Sequence, residues 1–169
     1  MNILELIYLI QNDPSCAVKS SQDGIPLPEG LPDDVRIFFE ETNGIQLFKN
    51  EKYVIEIIGR EHLIPINKFL YPIESIDWEN PESEASNLWY LIAQDDMNSQ
   101  FISIDLTPER YGQCYDSFIG THSLIGDTSI IAKNFTELLQ NLYLGKGQYW
   151  YWLQDDFQYM GDAYDPPII

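Results

Sequence analysis

The chain has 169 residues, with 27 acidic side chains against 9 basic ones, so its formal net charge at pH 7 is −18. Proteins that bind nucleic acid gain much of their affinity by neutralising phosphates with Lys and Arg, and phosphate would repel this excess of acid. The same sign of charge argues against docking on an anionic membrane, and the longest apolar runs are far too short for a transmembrane helix. We therefore expect neither nucleic acid nor membrane as a partner.

The composition predicts a folded, soluble, single domain that spans residues 1–169. Hydrophobic residues make up 44% of the chain and aromatic residues 14%, whereas disordered acidic chains lack such residues. A chain of this length buries roughly 70% of its unfolded surface, enough for a core without disulfides or metal. Only Cys16 and Cys114 are present, without metal-ligand spacing, and Met1–Glu5 contains no base. We expect no metal, no cofactor, no secretory signal and a cytoplasmic location.

Three segments show the 3.6-residue periodicity of amphipathic helices. The first spans Asn2–Gln11. The second follows Pro32, which suits a first helical position, and we expect Asn43-Gly44 to end it as a left-handed stop. The third begins near Asn134, a potential cap, and ends at Gly145.

Alternating patterns between the second and third helices predict strands, whereas residues 12–30, rich in Pro and Gly, predict a surface connection. The run at Leu88–Ala93 is apolar on both faces, as expected of a central strand. Polar connections after it predict hairpins and antiparallel neighbours. The expected fold class is α+β, a curved, mostly antiparallel sheet flanked by helices. The predicted strands are Ile45–Phe48, Tyr53–Ile58, Leu88–Ala93, Phe101–Leu106 and Gln113–Phe118.

Catalytic motifs are missing from the sequence. His62 and His122 are the only histidines, and neither lies in a metal-binding or nucleophile-activating pattern, so we interpret both as structural polar residues. Pairs of carboxylates are so numerous that any two of them are weak evidence for acid–base catalysis. The run Asp95–Asn98 resembles part of a calcium loop but lacks its glycine and terminal Glu, and a hairpin turn is favoured. We predict that the protein is not an enzyme.

Residues 145–169 form an aromatic, acidic C-terminal extension in which no base follows Lys146. Its aromatic run is either a last strand or strap packed on the core, slightly favoured, or an exposed binding surface, since Tyr and Trp are enriched at interfaces. A second acidic region, Phe69–Glu109, contains no Lys or Arg. Such a region is either a solvated face or a surface for a basic partner. The candidate partner-binding residues are Tyr149, Trp150, Trp152, Asp155 and Asp156 as anchors, with Asp95, Asp96 and Glu109 as secondary acids.

The order of several segments resembles the SUKH superfamily, which includes immunity proteins of bacterial polymorphic toxin systems and eukaryotic regulators of cell-wall synthesis. The resemblance covers most of Gly24–Leu144. It implies a compact α+β domain with a curved sheet and no catalytic residues. The segments that carry it are Leu27-Pro28, Leu31-Pro32, Phe38–Gly44, Leu91–Asp96, Phe101–Leu106 and Ile131–Leu139.

Two hypotheses for the function follow. The first is a non-enzymatic immunity protein that binds and neutralises a cognate toxin, with a nuclease as one candidate, because an acidic surface complements the basic cleft of a nuclease. The second is a regulatory protein–protein interaction module of the same superfamily with no toxin partner. In either case we expect a monomer or a weak homodimer.

Overall fold

A seven-stranded antiparallel sheet organises the chain in the computed structural model, which describes residues 1–167. The strands pair in sequence order, each with its neighbour, and the sheet does not close. The predicted α+β class is confirmed. The strands are β1 Ala17–Ser20, β2 Thr42–Leu47, β3 Ile55–Ile57, β4 Trp89–Asp95, β5 Phe101–Asp105, β6 Cys114–Asp116 and β7 Ile130–Ala132, and the helices are α1 Ile3–Gln11, α2 Asp33–Glu41, α3 Ile66–Leu70 and α4 Phe135–Leu144.

Helices α1, α2 and α4 pack against one another and cover one face of the sheet. Their apolar stripes are buried as the periodicity predicts, and the ring of Phe38 contacts the rings of Phe39 and Phe135 edge to face, at 5.1 and 5.0 Å between centroids. The predicted cap of α4 is present, because the side chain of Asn134 accepts a hydrogen bond from the amide of Glu137 at 2.8 Å. A side-chain cap of this kind stabilises a helix by about 1 kcal/mol.

The other face is covered by much less regular structure. Trp89, Phe101 and Tyr115 project from it: the ring of Trp89 contacts that of Tyr115, and Phe101 packs on Phe69 next to α3. The remaining cover consists of 3-10 turns between residues 71 and 88 and a loop over residues 117–128. With cover on both sides, β4 lies fourth of the seven strands and is buried along its middle, so the prediction of a central strand is confirmed.

Two strands, the short helix α3 and one helix end differ from the sequence-based expectation. β1 lies within residues 12–30, which we predicted as a surface connection, and β7 was not predicted. The expected stop at Asn43-Gly44 is wrong, because α2 ends at Glu41 and the next residues continue directly into β2. Asn43 and Gly44 lie at an irregularity in the pairing of β2 with β1, between the paired residues Thr42 and Ile45, and the side chain of Asn43 accepts a hydrogen bond from the amide of Arg60 at 2.8 Å.

Gly44 provides the first testable prediction. It adopts a φ of +104°, and a Cβ atom added there would lie 2.7 Å from the carbonyl oxygen of Ile57 in β3. Gly44→Ala is therefore expected to lower the free energy of unfolding by at least about 2 kcal/mol, because backbone strain and a steric clash act together. Urea denaturation measures this change.

Gly24→Ala is the matched control, since an added Cβ atom there meets nothing within 4 Å. This variant is expected to keep or slightly raise the stability. Equal stabilities for the two variants would contradict the assigned role of Gly44.

Candidate functional site

The C-terminal tail, residues 145–167, begins by packing on the edge of the sheet next to α4. The hydroxyl of Tyr151 donates to the carbonyl oxygen of Ile131 in β7 at 2.6 Å. Trp152 is only 6% exposed, and its indole nitrogen donates to the carboxylate of Asp116 at 3.0 Å. The ring of Trp150 stacks on that of Trp152 with 5.4 Å between their centroids. This part of the aromatic run belongs to the core.

The tail then runs along the β7 edge and continues to the opposite face of the sheet. Residues 161–163 pair with residues 128–130 through amide-to-carbonyl hydrogen bonds of 2.9 and 2.8 Å. Beyond them the ring of Tyr164 packs on Trp89, with 5.5 Å between centroids. The tail is therefore a strap that joins both faces of the sheet, which answers the question the sequence left open for these residues.

The predicted partner-binding residues are distributed unequally between surface and core. Trp152 is buried, which does not fit an exposed anchor, and Trp150 is half-buried. Asp95 is also half-buried, and its carboxylate accepts hydrogen bonds from the amide and hydroxyl of Ser99 at 3.0 and 2.8 Å, as in a hairpin turn. The remaining five are exposed: Tyr149, Asp155, Asp156, Asp96 and Glu109.

The structure brings the start of the tail close to the β4–β5 hairpin but leaves Glu109 apart. Asp116 accepts hydrogen bonds from Trp152 in the tail and from Gln100 in the hairpin, the latter at 2.7 Å. Glu109 lies in a 3-10 turn beyond the other end of β5. Because β5 spans five residues, the length of a strand, roughly 16 Å, separates Glu109 from the hairpin acids.

Three buried titratable side chains, Asp105, Tyr115 and His122, each make a hydrogen bond, whereas Nδ1 of His122 has no partner among the described residues. Burial raises the pKa of Asp105, whose carboxylate accepts a hydrogen bond from the hydroxyl of Tyr115 at 2.5 Å. Burial and the adjacent Asp105 raise the pKa of Tyr115. Burial lowers the pKa of His122 to about 4, and its Nε2 is hydrogen-bonded to Oδ1 of Asn67 at 2.7 Å. Within residues 1–167, no group of three or more His, Cys, Asp or Glu could hold a metal ion.

The acids in the first half of the base-free region lie on one covering segment, which we call the acidic loop, residues 71–88. A cavity of about 430 Å³ opens between this loop, α3 and the residue that follows His122. The acids of this loop are evident from the sequence, but the cavity is not, because short 3-10 turns lack the long hydrophobic periodicity that predicts a regular element. The exposed acids of the loop are Glu74, Asp77, Glu79, Glu82 and Glu84.

Comparison with known proteins places the chain in a family. The sequence model of the SMI1/KNR4 family (SUKH-1) matches residues 27–141. The chain belongs to the SUKH-1 family. It is also 38% identical over 168 residues to Immunity protein YokJ of Bacillus subtilis (strain 168), in an alignment that covers 98% of this chain and 97% of that protein. No solved structure matches the chain significantly.

The two matches cover different lengths of the chain. The SUKH-1 match stops before the tail, whereas the alignment with the Bacillus protein includes most of it. The segment beyond the family match therefore has a counterpart in that relative. In the described part of this SUKH-1 protein, none of the helices has the length and apolar character needed to cross a membrane.

The strap predicts unequal effects of two neighbouring aromatic substitutions. Trp152→Ala removes a buried indole and leaves Asp116 without one donor, so the free energy of unfolding is expected to fall by about 3–5 kcal/mol. Tyr149→Ala is the control, because Tyr149 is 43% exposed, and it is expected to lower the stability by less than about 1 kcal/mol. Urea denaturation of both variants measures the difference, and similar losses would contradict the strap.

His122 predicts a pH dependence of stability. Its folded-state pKa of about 4 lies below the reference value of 6.5, so between these values the unfolded chain carries a proton that the folded chain lacks. Stability is therefore lost as the pH falls through this window. Between pH 7.5 and 5.5 the wild type is expected to lose about 1.4 kcal/mol more than His122→Gln, measured by urea denaturation at each pH.

The exposed His62 provides the matched control for this experiment. His62→Gln is expected to keep the steep wild-type pH dependence. If His62→Gln flattened the curve and His122→Gln did not, the assignment to His122 would be wrong.

Proposed function

We propose that this protein is an immunity protein that binds a cognate toxin and neutralises it. The observation that carries the proposal is the 38% identity to Immunity protein YokJ over almost the full length of both chains. The alignment includes most of the tail, so the resemblance extends beyond the match to the family. Membership of the SUKH-1 family supports the same function.

Neutralisation in this proposal is non-enzymatic and works by occlusion. The buried Asp105 and Tyr115 are hydrogen-bonded to each other, and the exposed ionisable groups are mostly carboxylates. With a net charge of −18, the chain attracts a basic protein at long range, and complementary potentials raise both the association rate and the specificity. A nuclease toxin fits this chemistry, because its phosphate-binding cleft carries positive charge.

We place the encounter in the cytoplasm, with the immunity protein as a monomer or weak homodimer.

The proposed contact surface comprises residues of the tail and of the β4–β5 hairpin. Asp155 and Asp156 are exposed on the tail, with Asp156 beside Lys133 and Glu137, while Tyr149 is partly exposed and Asp96 lies on the hairpin. Trp152 supports these residues from the core through its hydrogen bond with Asp116. Glu109 lies beyond the opposite end of β5, so a partner would have to extend along the whole strand to contact it as well.

The test uses the product of the adjacent gene as the candidate toxin, in a growth-protection assay and a binding measurement. We expect co-expression to protect cells and the purified pair to associate more slowly as the salt concentration rises. The double charge reversal Asp155→Lys with Asp156→Lys is expected to weaken binding at least about tenfold.

A control with the same change in net charge separates a local contact from general electrostatics. Asp23 and Glu29 are exposed on the connection before α2, and reversing both is expected to change the affinity less than threefold. Equal losses in the two double variants would reject the tail site but not the function. If the wild type neither binds nor protects, the immunity function is wrong and a regulatory interaction module without a toxin partner is favoured.

A further inference from the structure

The cavity beside the acidic loop is a second feature of the surface and lies outside the residues proposed above. It has a volume of about 430 Å³, within the range of ordinary ligand sites. Oxygen-bearing side chains dominate its lining, and none of the described lining residues is Lys or Arg. These lining residues are Asn67, Tyr71, Ser75, Ile76, Asp77, Ser83, Glu84, Ser86, Asn87 and Ser123.

Part of the lining of this cavity is fixed by buried hydrogen bonds. The side-chain amide of Asn67 donates to the hydroxyl of Ser86 and to the side-chain oxygen of Asn87, both at 2.9 Å. Asn87 in turn donates to the carbonyl oxygen of Pro81 at 3.1 Å. His122 holds Asn67 from the opposite side. Asn67, Ser86 and Asn87 are therefore held in place before any partner arrives, which lowers the entropic cost of binding at this part of the cavity.

Two carboxylates, Asp77 and Glu84, give the cavity a negative charge. Glu84 is held in place because it accepts hydrogen bonds from the hydroxyl of Tyr164 at 2.7 Å and the amide of Ser86 at 3.3 Å. Lys68 is the only Lys or Arg between residues 61 and 109. Its ammonium group lies over the ring of Trp78, 4.8 Å from the centroid. Within the part of the chain that the structure describes, no cation on the lining balances the two carboxylates.

Exposed apolar side chains lie on the segments that form the cavity. Ile73 is 69% exposed on the acidic loop, and Ile125 is 81% exposed on the loop that carries Ser123. Tyr71 lines the cavity and is itself exposed, with its ring 6.4 Å from that of His122. In protein–protein interfaces a few side chains that enter pockets carry most of the affinity, and apolar neighbours help to exclude water around them.

We propose that the acidic-loop cavity receives an arginine side chain of the toxin, an inference that rests on the proposed immunity function. A guanidinium group donates in a planar fork that matches carboxylates and stacks on aromatic rings. Asp77 and Glu84 supply the carboxylates, Tyr71 supplies the ring, and the hydroxyl and amide oxygens of the lining accept the remaining hydrogen bonds. The buried His122 is neutral at pH 7, with its pKa lowered to about 4 by burial, and does not repel the cation.

Argininamide is the probe that tests the cavity without the toxin. In an NMR titration of the full chain, it is expected to shift the backbone amides of Ser86, Asn87 and Ser123, with a dissociation constant on the order of 1 mM for a ligand of its size. Lysinamide is expected to bind at least threefold more weakly, because it lacks the fork, and the neutral citrulline amide is expected not to bind. Failure of argininamide to cause saturable shifts, or equal binding of the neutral analogue, would overturn the proposal.

The variant Asp77→Asn with Glu84→Gln removes both cavity charges. The side-chain amide that replaces the carboxylate of Glu84 keeps an oxygen to accept the hydrogen bonds of Tyr164 and Ser86. This variant is expected to weaken argininamide and the toxin by about tenfold each. The matched control is Glu79→Gln with Glu82→Gln, which removes the same charge from the same loop outside the cavity lining. This control is expected to retain at least half of the wild-type affinity for both ligands.

The two proposals fail in different ways. If the wild type does not bind the toxin, the immunity function is wrong, whatever argininamide does. If the wild type binds the toxin and the cavity variant binds it equally well, the assignment of the arginine is wrong while the immunity function stands. Equal losses in the cavity variant and its control would also reject the cavity, because general electrostatics would then account for the effect.

Discussion

Burial of the sheet on both faces is the constraint on which the rest of this structure depends. The middle of β4 is inaccessible from either side, so each face needs a cover that excludes water. Three helices supply one cover, whereas the other contains a single helix of only five residues. Loops and the ring of Tyr164 complete the second cover. Aromatic residues that would suit an interface are therefore used to close the core.

An irregular cover must satisfy its own polar groups, because it lacks the repeating hydrogen bonds of a helix. Here the Asn67 side chain meets this need by joining α3, the acidic loop and the loop over residues 117–128 in one buried network. The network fixes the end of the acidic loop through the side chains of Ser86 and Asn87, while the carboxylates of the loop remain exposed. A fixed loop with exposed surface charge is well suited to recognition, since little ordering is needed when a partner binds. The stability of the second cover and the proposed binding role thus depend on the same contacts.

Sequence periodicity was sufficient for the long, regular elements. α1 and α4 have apolar stripes of more than two turns, and the apolar run at Leu88–Ala93 identified the central strand. β1 and β7 are short and lie among polar and turn-forming residues, whereas the equally short β3 and β6 lie within longer alternating runs. Gly44 carried the usual signal of a helix stop, but its backbone lies against that of β3. In each of these misses, a long-range contact outweighed the local signal.

The candidate functional residues show the same contrast between features that the local sequence predicts and features that depend on long-range contacts. Exposure of acids such as Asp96, Asp155 and Asp156 followed from their chemistry, because unpaired carboxylates are rarely buried. Their grouping did not follow, since Asp95 and Glu109 lie beyond opposite ends of β5. The burial of Trp152 depends on Asp116, a partner 36 residues away, and no local pattern encodes that contact. The cavity likewise exists only because three separate segments meet.

The strap covers the edge of β7 only late in synthesis. β7 lies at the edge of the sheet, and the residues that pair beyond it, 161–163, are translated about thirty residues later. Until they leave the ribosome, the nascent chain presents an unprotected strand edge, and such edges promote association between chains. Pairing of residues 161–163 with the β7 edge therefore ends the stage of folding in which this edge is open to association with other chains.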